Sequence, residues 1–427
     1  MKKAKKLFIS LLLIICMFAL TGCQDYRGLD QLTIVAGMAI DQSEKDPNKF
    51  TITFEILDNE NKNSNDPVSS KLISSEGSSV FEAMSNANSQ LESTLYYGNA
   101  EVVVLSEQLA KNGALADVLD TFLRDYYIRD SIFIIISQEE SAKKLFQYKE
   151  DENQIVSFNL KKNMADTEFT TESTHRVPIY RAYSTIIANR TSLTLPVFRF
   201  FPEKTDDQDE KGGGESQGSQ EKKPEQEEKS QEGEKEESNE KLILMSDGLA
   251  IFEKEKMVSH FDESELVNYL LCTENLQGGR FIAFLDDDDN FPRDTVSLAL
   301  GQTQKKLDFS YENGKLTLFV NIHLDSGILG ISTKLNRLSQ QDVLEISELC
   351  SEQLNQDITN MIQKIQKEKG QEIFGFADTI YRKDFKLWEQ LSSDWTTHFS
   401  KADIVVTSEV SIEDTGMING FYQVEGE

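Results

Sequence analysis

Cysteine is scarce in this chain, four residues in 427, which is too few for a disulfide scaffold of this length. Histidine is equally scarce. Its four positions (His175, His260, His323, His398) lie far apart, none at i, i+4 and none beside a cysteine, so no standard zinc-ligand spacing is present. Positive charge is in the minority: 44 Lys and Arg face 73 Asp and Glu, a net −29. That balance excludes a phosphate-backbone partner, which requires a basic face to replace counterions. It also argues against a body lying flat on anionic lipid. The sequence has no Gly-x-Ser-x-Gly elbow, no Walker loop and no Gly-x-Gly-x-x-Gly after a strand, so it offers neither catalytic machinery nor a cofactor motif. The acidic run at residues 286–290 fails as a calcium loop, because Phe291 and Ser297 stand where Gly and a bidentate Glu are needed. It reads as a solvated loop, and no metal site is expected.

No apolar run is long enough to span a bilayer. The longest, residues 7–20, has 14 residues broken only by Ser10, against the roughly 20 a transmembrane helix needs. Lys2, Lys3, Lys5 and Lys6 precede it, the charged region of a signal peptide. It ends in Leu20, Thr21, Gly22 and Cys23, which resembles a bacterial lipobox with Cys23 as the residue to be acylated. Cleavage before Cys23 leaves 405 residues with 40 basic and 73 acidic side chains, a net −33. Cys272 and Cys350 are then the remaining thiols. Both sit among leucines and read as buried free cysteines, with pairing between them left open.

The clearest boundary is a segment without any aromatic or aliphatic residue, from Glu203 to Lys241, with 15 acids and 7 lysines. Such a segment cannot bury enough apolar surface to offset its ordering entropy and reads as a linker. Before it, strand and helix patterns alternate: apolar or alternating runs at residues 32–40, 50–56, 101–105 and 131–136, with helical spacing from Ser78, around residues 115–124 and around 179–188. After it, residues 242–252 read as a hairpin turning at Ser246-Asp247-Gly248, residues 263–271 as a short helix, and Asn313-Gly314 as a hairpin turn. An apolar stripe from Val343 to Ile365 marks a long helix stopped by Gly370, and a terminal strand runs over residues 404–412. The expected fold is therefore α/β and α+β multidomain: mixed sheets packed by helices, an N-terminal α/β region and a C-terminal α+β region with a long helix. The expected divisions are a signal peptide (1–22), an N-terminal α/β domain (23–201), an acidic disordered linker (202–241), a middle β-rich subdomain (242–300) and a C-terminal α+β domain (301–427).

Several stretches together resemble one family. Asp25-Tyr26-Arg27 precedes the strand at residues 32–41; Phe122-Leu123-Arg124-Asp125 precedes Ile128-Arg129; Gly248-Leu249-Ala250-Ile251-Phe252 opens the second half; and Ile373-Phe374-Gly375-Phe376-Ala377 is followed by Tyr381-Arg382-Lys383, Trp388 and Trp395. In this order and spacing they are similar to the Ger(x)C family, the lipoprotein C subunits of nutrient germinant receptors in spore-forming bacteria. Gln24 and Tyr126-Tyr127 depart from its usual pattern. The resemblance implies a three-domain α/β lipoprotein on the outer face of the spore inner membrane, without catalysis, assembling with integral-membrane A and B subunits and supporting germination. Two surfaces are candidates for partner docking: the charged group Arg124, Asp125 and Arg129, and the aromatic group Phe374, Phe376, Trp388 and Trp395, for which core packing is the favoured reading. The alternative function, a solute-binding lipoprotein of a transporter, requires two similar lobes around a cleft. A secreted hydrolase requires a nucleophile–base pair that the sequence does not offer.

Overall fold

The computed structural model describes residues 31–58, 68–125, 127–149, 154–165, 175–202, 242–285, 294–332, 338–368 and 370–415. The lipobox, the acidic linker, the 286–290 run and Tyr126 lie outside them.

The first half is built on β1 (Leu32–Gln42), β2 (Phe50–Asp58), β3 (Ser69–Gly77), β4 (Thr94–Tyr96), β5 (Val102–Ser106), β6 (Phe133–Ser137) and β7 (Thr194–Pro202). Its helices are α1 (Val80–Ser89), α2 (Glu107–Asn112), α3 (Leu115–Arg124), α4 (Lys143–Gln147), α5 (Val156–Ala165) and α6 (Ile179–Ala188). The strands β1, β5, β6 and β7 pair in parallel at the centre, with β2 and β3 added antiparallel on one side. The nearly unbroken apolar runs of β1 and β5 follow from burial on both faces. Val35, Met38, Ile40, Val103 and Leu105 enter one core, while Ala39, Val102 and Val104 enter another against α4 and α5. Helix α1 starts where the sequence places it. Ser79 accepts from Glu82 N at 3.1 Å, and Glu82 accepts from Ser78 N at 2.8 Å, a reciprocal cap. The edge strand β3, rich in serine, has Leu72 and Ile73 side by side and no apolar alternation, so the sequence pattern does not mark it as a strand.

Beyond the linker, β8 (Leu242–Glu253) and β9 (Lys256–Phe261) continue this same sheet: β8 pairs antiparallel with β7, and β9 with β8. The hairpin expected at Ser246-Asp247-Gly248 is instead a bulge inside one strand. Gly248 has φ +82, and the register with β7 shifts between Pro196 and Phe198, so that Asp247 and Gly248 of β8 stand opposite the single β7 residue Val197. Strand β8 divides its side chains. Ala250 and Phe252 pack into the first-half core, whereas Leu249 and Ile251 pack into the second.

The second half comprises α7 (Leu266–Thr273), β10 (Arg280–Phe284), β11 (Thr295–Glu312), β12 (Lys315–Ser332), α8 (Gln340–Glu368), α9 (Phe376–Lys383), α10 (Phe385–Leu391), α11 (Trp395–Lys401) and β13 (Asp403–Asp414). Its sheet runs β10-β11-β12-β13. The long β11–β12 hairpin turns at Asn313 and Gly314, both at positive φ, as the dipeptide predicts. Strand β13 is parallel to β12, which demands a crossover, and α8 to α11 supply it. The apolar stripe of α8 (Ile346, Cys350, Leu354, Ile358, Met361, Ile362, Ile365) is buried against the sheet, and Gly370 at φ +64 ends the run. The expected middle subdomain 242–300 is thus shared out: β8 and β9 belong to the first sheet, and β10 and the start of β11 to the second.

Replacing Gly248 by Ala would place a Cβ 2.0 Å from the Phe261 carbonyl oxygen while keeping a left-handed backbone. We expect Gly248→Ala to lower unfolding free energy by about 2 kcal/mol or more, measured by denaturant titration. An unchanged midpoint would contradict the bulge.

Candidate functional site

Three buried carboxylates organise the structure, each at the start of a helix, where backbone N–H groups lack intrahelical partners. Asp41, at the end of β1, accepts from Ala142 N at 2.7 Å and Lys143 N at 3.0 Å at the head of α4. Glu55, on β2, accepts from Val156 N and Ser157 N, both at 2.8 Å, at the head of α5. Glu372 accepts from Phe374 N (2.6 Å), Gly375 N (2.7 Å) and Ala377 N (3.1 Å), folding the chain into α9. Burial holds the Asp41 and Glu372 carboxyls above their ordinary values, against the pull of these same N–H groups. The turn at Glu372 needs Gly375 at φ +97.

Glu372 also sits in the joint between the halves. Ser192 N donates to the Glu372 carbonyl at 2.7 Å, and the Ser192 hydroxyl donates to Gln371 Oε1 at 2.7 Å. The Thr191 hydroxyl lies 3.3 Å from Glu372 Oε2 and 3.2 Å from Asp378 Oδ2. Arg190 pairs with Asp378 and stacks its guanidinium 4.2 Å from the Tyr381 ring centroid. Close by, Thr194 bonds Tyr269 (2.9 Å) and His175 (3.1 Å). Burial pushes the His175 imidazole down to about 3 and the Tyr269 hydroxyl up to about 12, so both are neutral at physiological pH.

The structure places the aromatic group in the core. Phe374 and Phe376 are 2% and 0% exposed, and Trp388 and Trp395 pack edge to face at 5.5 Å in the second core. Their apolar area is already covered by this chain, so they offer no surface to a partner. The charged group is placed differently. Arg124 and Arg129 are exposed, and Asp125 ends α3, accepting from Tyr127 N at 2.8 Å. Arg124 pairs with Asp120 one turn back, a solvent-exposed contact of small energetic weight. Sequence reasoning missed the neighbouring face of α6. There Tyr180, Tyr183 and Ile187 are 52%, 43% and 66% exposed at i, i+3, i+7 spacing, and Tyr183 interacts electrostatically with Arg124. The spacing is present in the sequence, but spacing alone does not say which face of the helix the sheet leaves open.

Cys272 and Cys350 are buried and free, and burial pushes each thiol up to about 12, so neither presents a thiolate. Among the described residues no three His, Cys, Asp or Glu side chains converge as metal ligands, and no helix is long and apolar enough to cross a membrane. The halves carry unlike sheets, nine strands against four, which does not meet the two-lobe requirement of the solute-binding alternative.

Family comparisons fall on both halves. Residues 25–200 match the spore germination protein N-terminal domain, and residues 247–416 match the "Spore germination B3/ GerAC like, C-terminal" model. The chain belongs to this GerAC-like spore germination family, the Ger(x)C receptor C-subunit family. It is 25% identical to spore germination protein KC of Bacillus subtilis, covering 97% of each chain. It is 20% identical to spore germination protein GerQC of Bacillus cereus over 95% of this chain and 98% of that one. The crystal structure of the GerBC protein shares the fold, with a TM-score of 0.53 at 16% identity over 88% of this chain and 97% of that one. In this Ger(x)C protein the family-like stretch at residues 373–377 is the buried joint just described.

We expect Glu372→Ala to destabilise the protein by about 2–4 kcal/mol, because it strands several buried N–H donors. Glu372→Gln tests the charge. With its folded value above the ordinary 4.5, the carboxyl binds its proton first in the folded state. The wild type therefore gains stability relative to Glu372→Gln as pH falls through the folded value toward 4.5, and the difference is constant below it. Paired denaturant titrations at neutral and mildly acidic pH check the sign, and a difference moving the other way contradicts it.

Proposed function

We propose that this protein is the lipid-anchored C subunit of a spore nutrient germinant receptor, a non-catalytic component that assembles with integral-membrane A and B subunits. The observation that carries the reading is the pair of family matches, in order and across both halves. The signal-peptide pattern ending at Cys23 supports attachment by acyl chains at the outer face of the spore inner membrane. An acidic body needs such a tether, since anionic lipid repels it. The partner surface we assign is the exposed face of α3 and α6, where Arg124 and Arg129 flank Tyr180, Tyr183 and Ile187. It combines arginine with aromatic area, a composition enriched at protein interfaces.

Two experiments test this. Palmitate labelling in sporulating cells should mark the wild type and not Cys23→Ala, and an unlabelled wild type would refute the anchor. The double charge reversal Arg124→Glu/Arg129→Glu should leave folding intact and sharply reduce co-purification of the A and B subunits. Unchanged co-purification would dismiss the surface.

A further inference from the structure

The cleft between the halves has a charge opposite to that of the chain. It is a half-open cavity of about 770 Å³ whose lining holds Arg181, Lys305, Lys306, Arg382 and Lys383 against one acid, Asp378. The neighbouring carboxylates do not balance these cations. Arg181 is paired with Glu274 (2.8 Å), Lys383 with Asp308 (3.0 Å), and Asp378 is taken by Arg190. Lys306 reaches Asp308 only at 3.8 Å. Glu372, below the cleft, is occupied by backbone N–H groups. Counting Arg190, six cations face Glu274, Asp308 and Asp378. Among the described residues Lys305, half-buried, forms no ion pair with a carboxylate, though Glu274 interacts with it electrostatically, and Arg382 donates to the Asp378 carbonyl at 3.2 Å. Burial, joined by the nearby Arg181 and Arg382, holds the Lys305 ammonium below its ordinary value against the opposing pull of Glu274. Gathering like charges around a partly desolvated lysine is unfavourable unless an anion joins them.

The remainder of the lining is apolar or neutral. Val177, Leu193, Ile373 and Phe374 line the cleft together with Tyr269 and His175. His175 is 4% exposed, and its Nδ1 has no hydrogen-bond partner among the described residues. The volume lies within the range of small-molecule sites, which join an apolar lining to a few converging polar groups.

We propose that this cleft binds a small organic anion, its charged end held by Lys305 and Arg382 and its body lying against the half-buried Leu307 and Thr273. The site draws residues from both halves, so its occupant would tie them together. The inference rests on the cleft alone and stands apart from the receptor reading.

Isothermal titration of the purified full chain with phenyl phosphate, benzoate and the uncharged benzyl alcohol tests it. We expect saturable binding of at least one of the two anions and none of the alcohol. In Lys305→Gln/Arg382→Gln the anion should bind at least about tenfold more weakly, as loss of charge-assisted contacts requires. Unchanged tryptophan emission from Trp388 and Trp395 would show that this variant is folded, and Arg382→Gln alone, at an exposed position, should show an intermediate loss. Saturable binding of neither anion, equal binding of the alcohol, or undiminished binding in the folded variant would overturn the site.

Discussion

Strand β8 must satisfy two cores at once, and the rest of the architecture depends on that. Its backbone is hydrogen-bonded between β7 and β9, which commits it to the first sheet. Its side chains alternate between the two halves, Ala250 and Phe252 on one face, Leu249 and Ile251 on the other. A strand with both faces buried cannot shift register by one residue without exchanging every contact. Although an acidic linker precedes it, β8 therefore makes the two halves one body. The joint at Arg190 to Ser192 and Gln371 to Asp378 closes the same interface from the other side.

The carboxylates at Asp41, Glu55 and Glu372 solve a shared problem. Short helices leave their first N–H groups unpaired, and in the interior no water satisfies them. A carboxylate from a distant strand or turn does so with charge-assisted bonds. The contacts of Asp41 and Glu55 span about a hundred residues of sequence, so they fix tertiary arrangement as well as helix starts. Where the family-like stretch at residues 373–377 meets Glu372, two phenylalanines and a left-handed glycine follow from this geometry.

The sequence was most legible where one period dominates. Helix α6, the Asn313-Gly314 turn, the α8 stripe and the Gly370 stop are all local signals, and each coincides with an observed element. Strand β3 was illegible because an edge strand need not carry apolar alternation. At Ser246-Asp247-Gly248 a bulge and a turn share the same sequence signal, a glycine at positive φ, and only the β7 partner distinguishes them. Residue type alone leaves the aromatic group between core and docking surface, because it does not reveal which side of a helix a sheet will cover. The cationic cleft was equally hidden. Its lysines and arginines come from α6, β11 and α9, and folding alone brings them together in a chain of net −29.

The unity of the two halves is the claim on which the cleft depends, because its lining uses residues of both halves that folding must hold together. Trp388 and Trp395 are the only tryptophans and both lie in the second core, so their fluorescence follows that core alone. Amide hydrogen exchange of β1 and β5 follows the first. Measured together across a urea titration of the full chain, the two signals should be lost at one common midpoint. Two separated midpoints would contradict the account, showing that β8 and the Glu372 joint do not couple the halves.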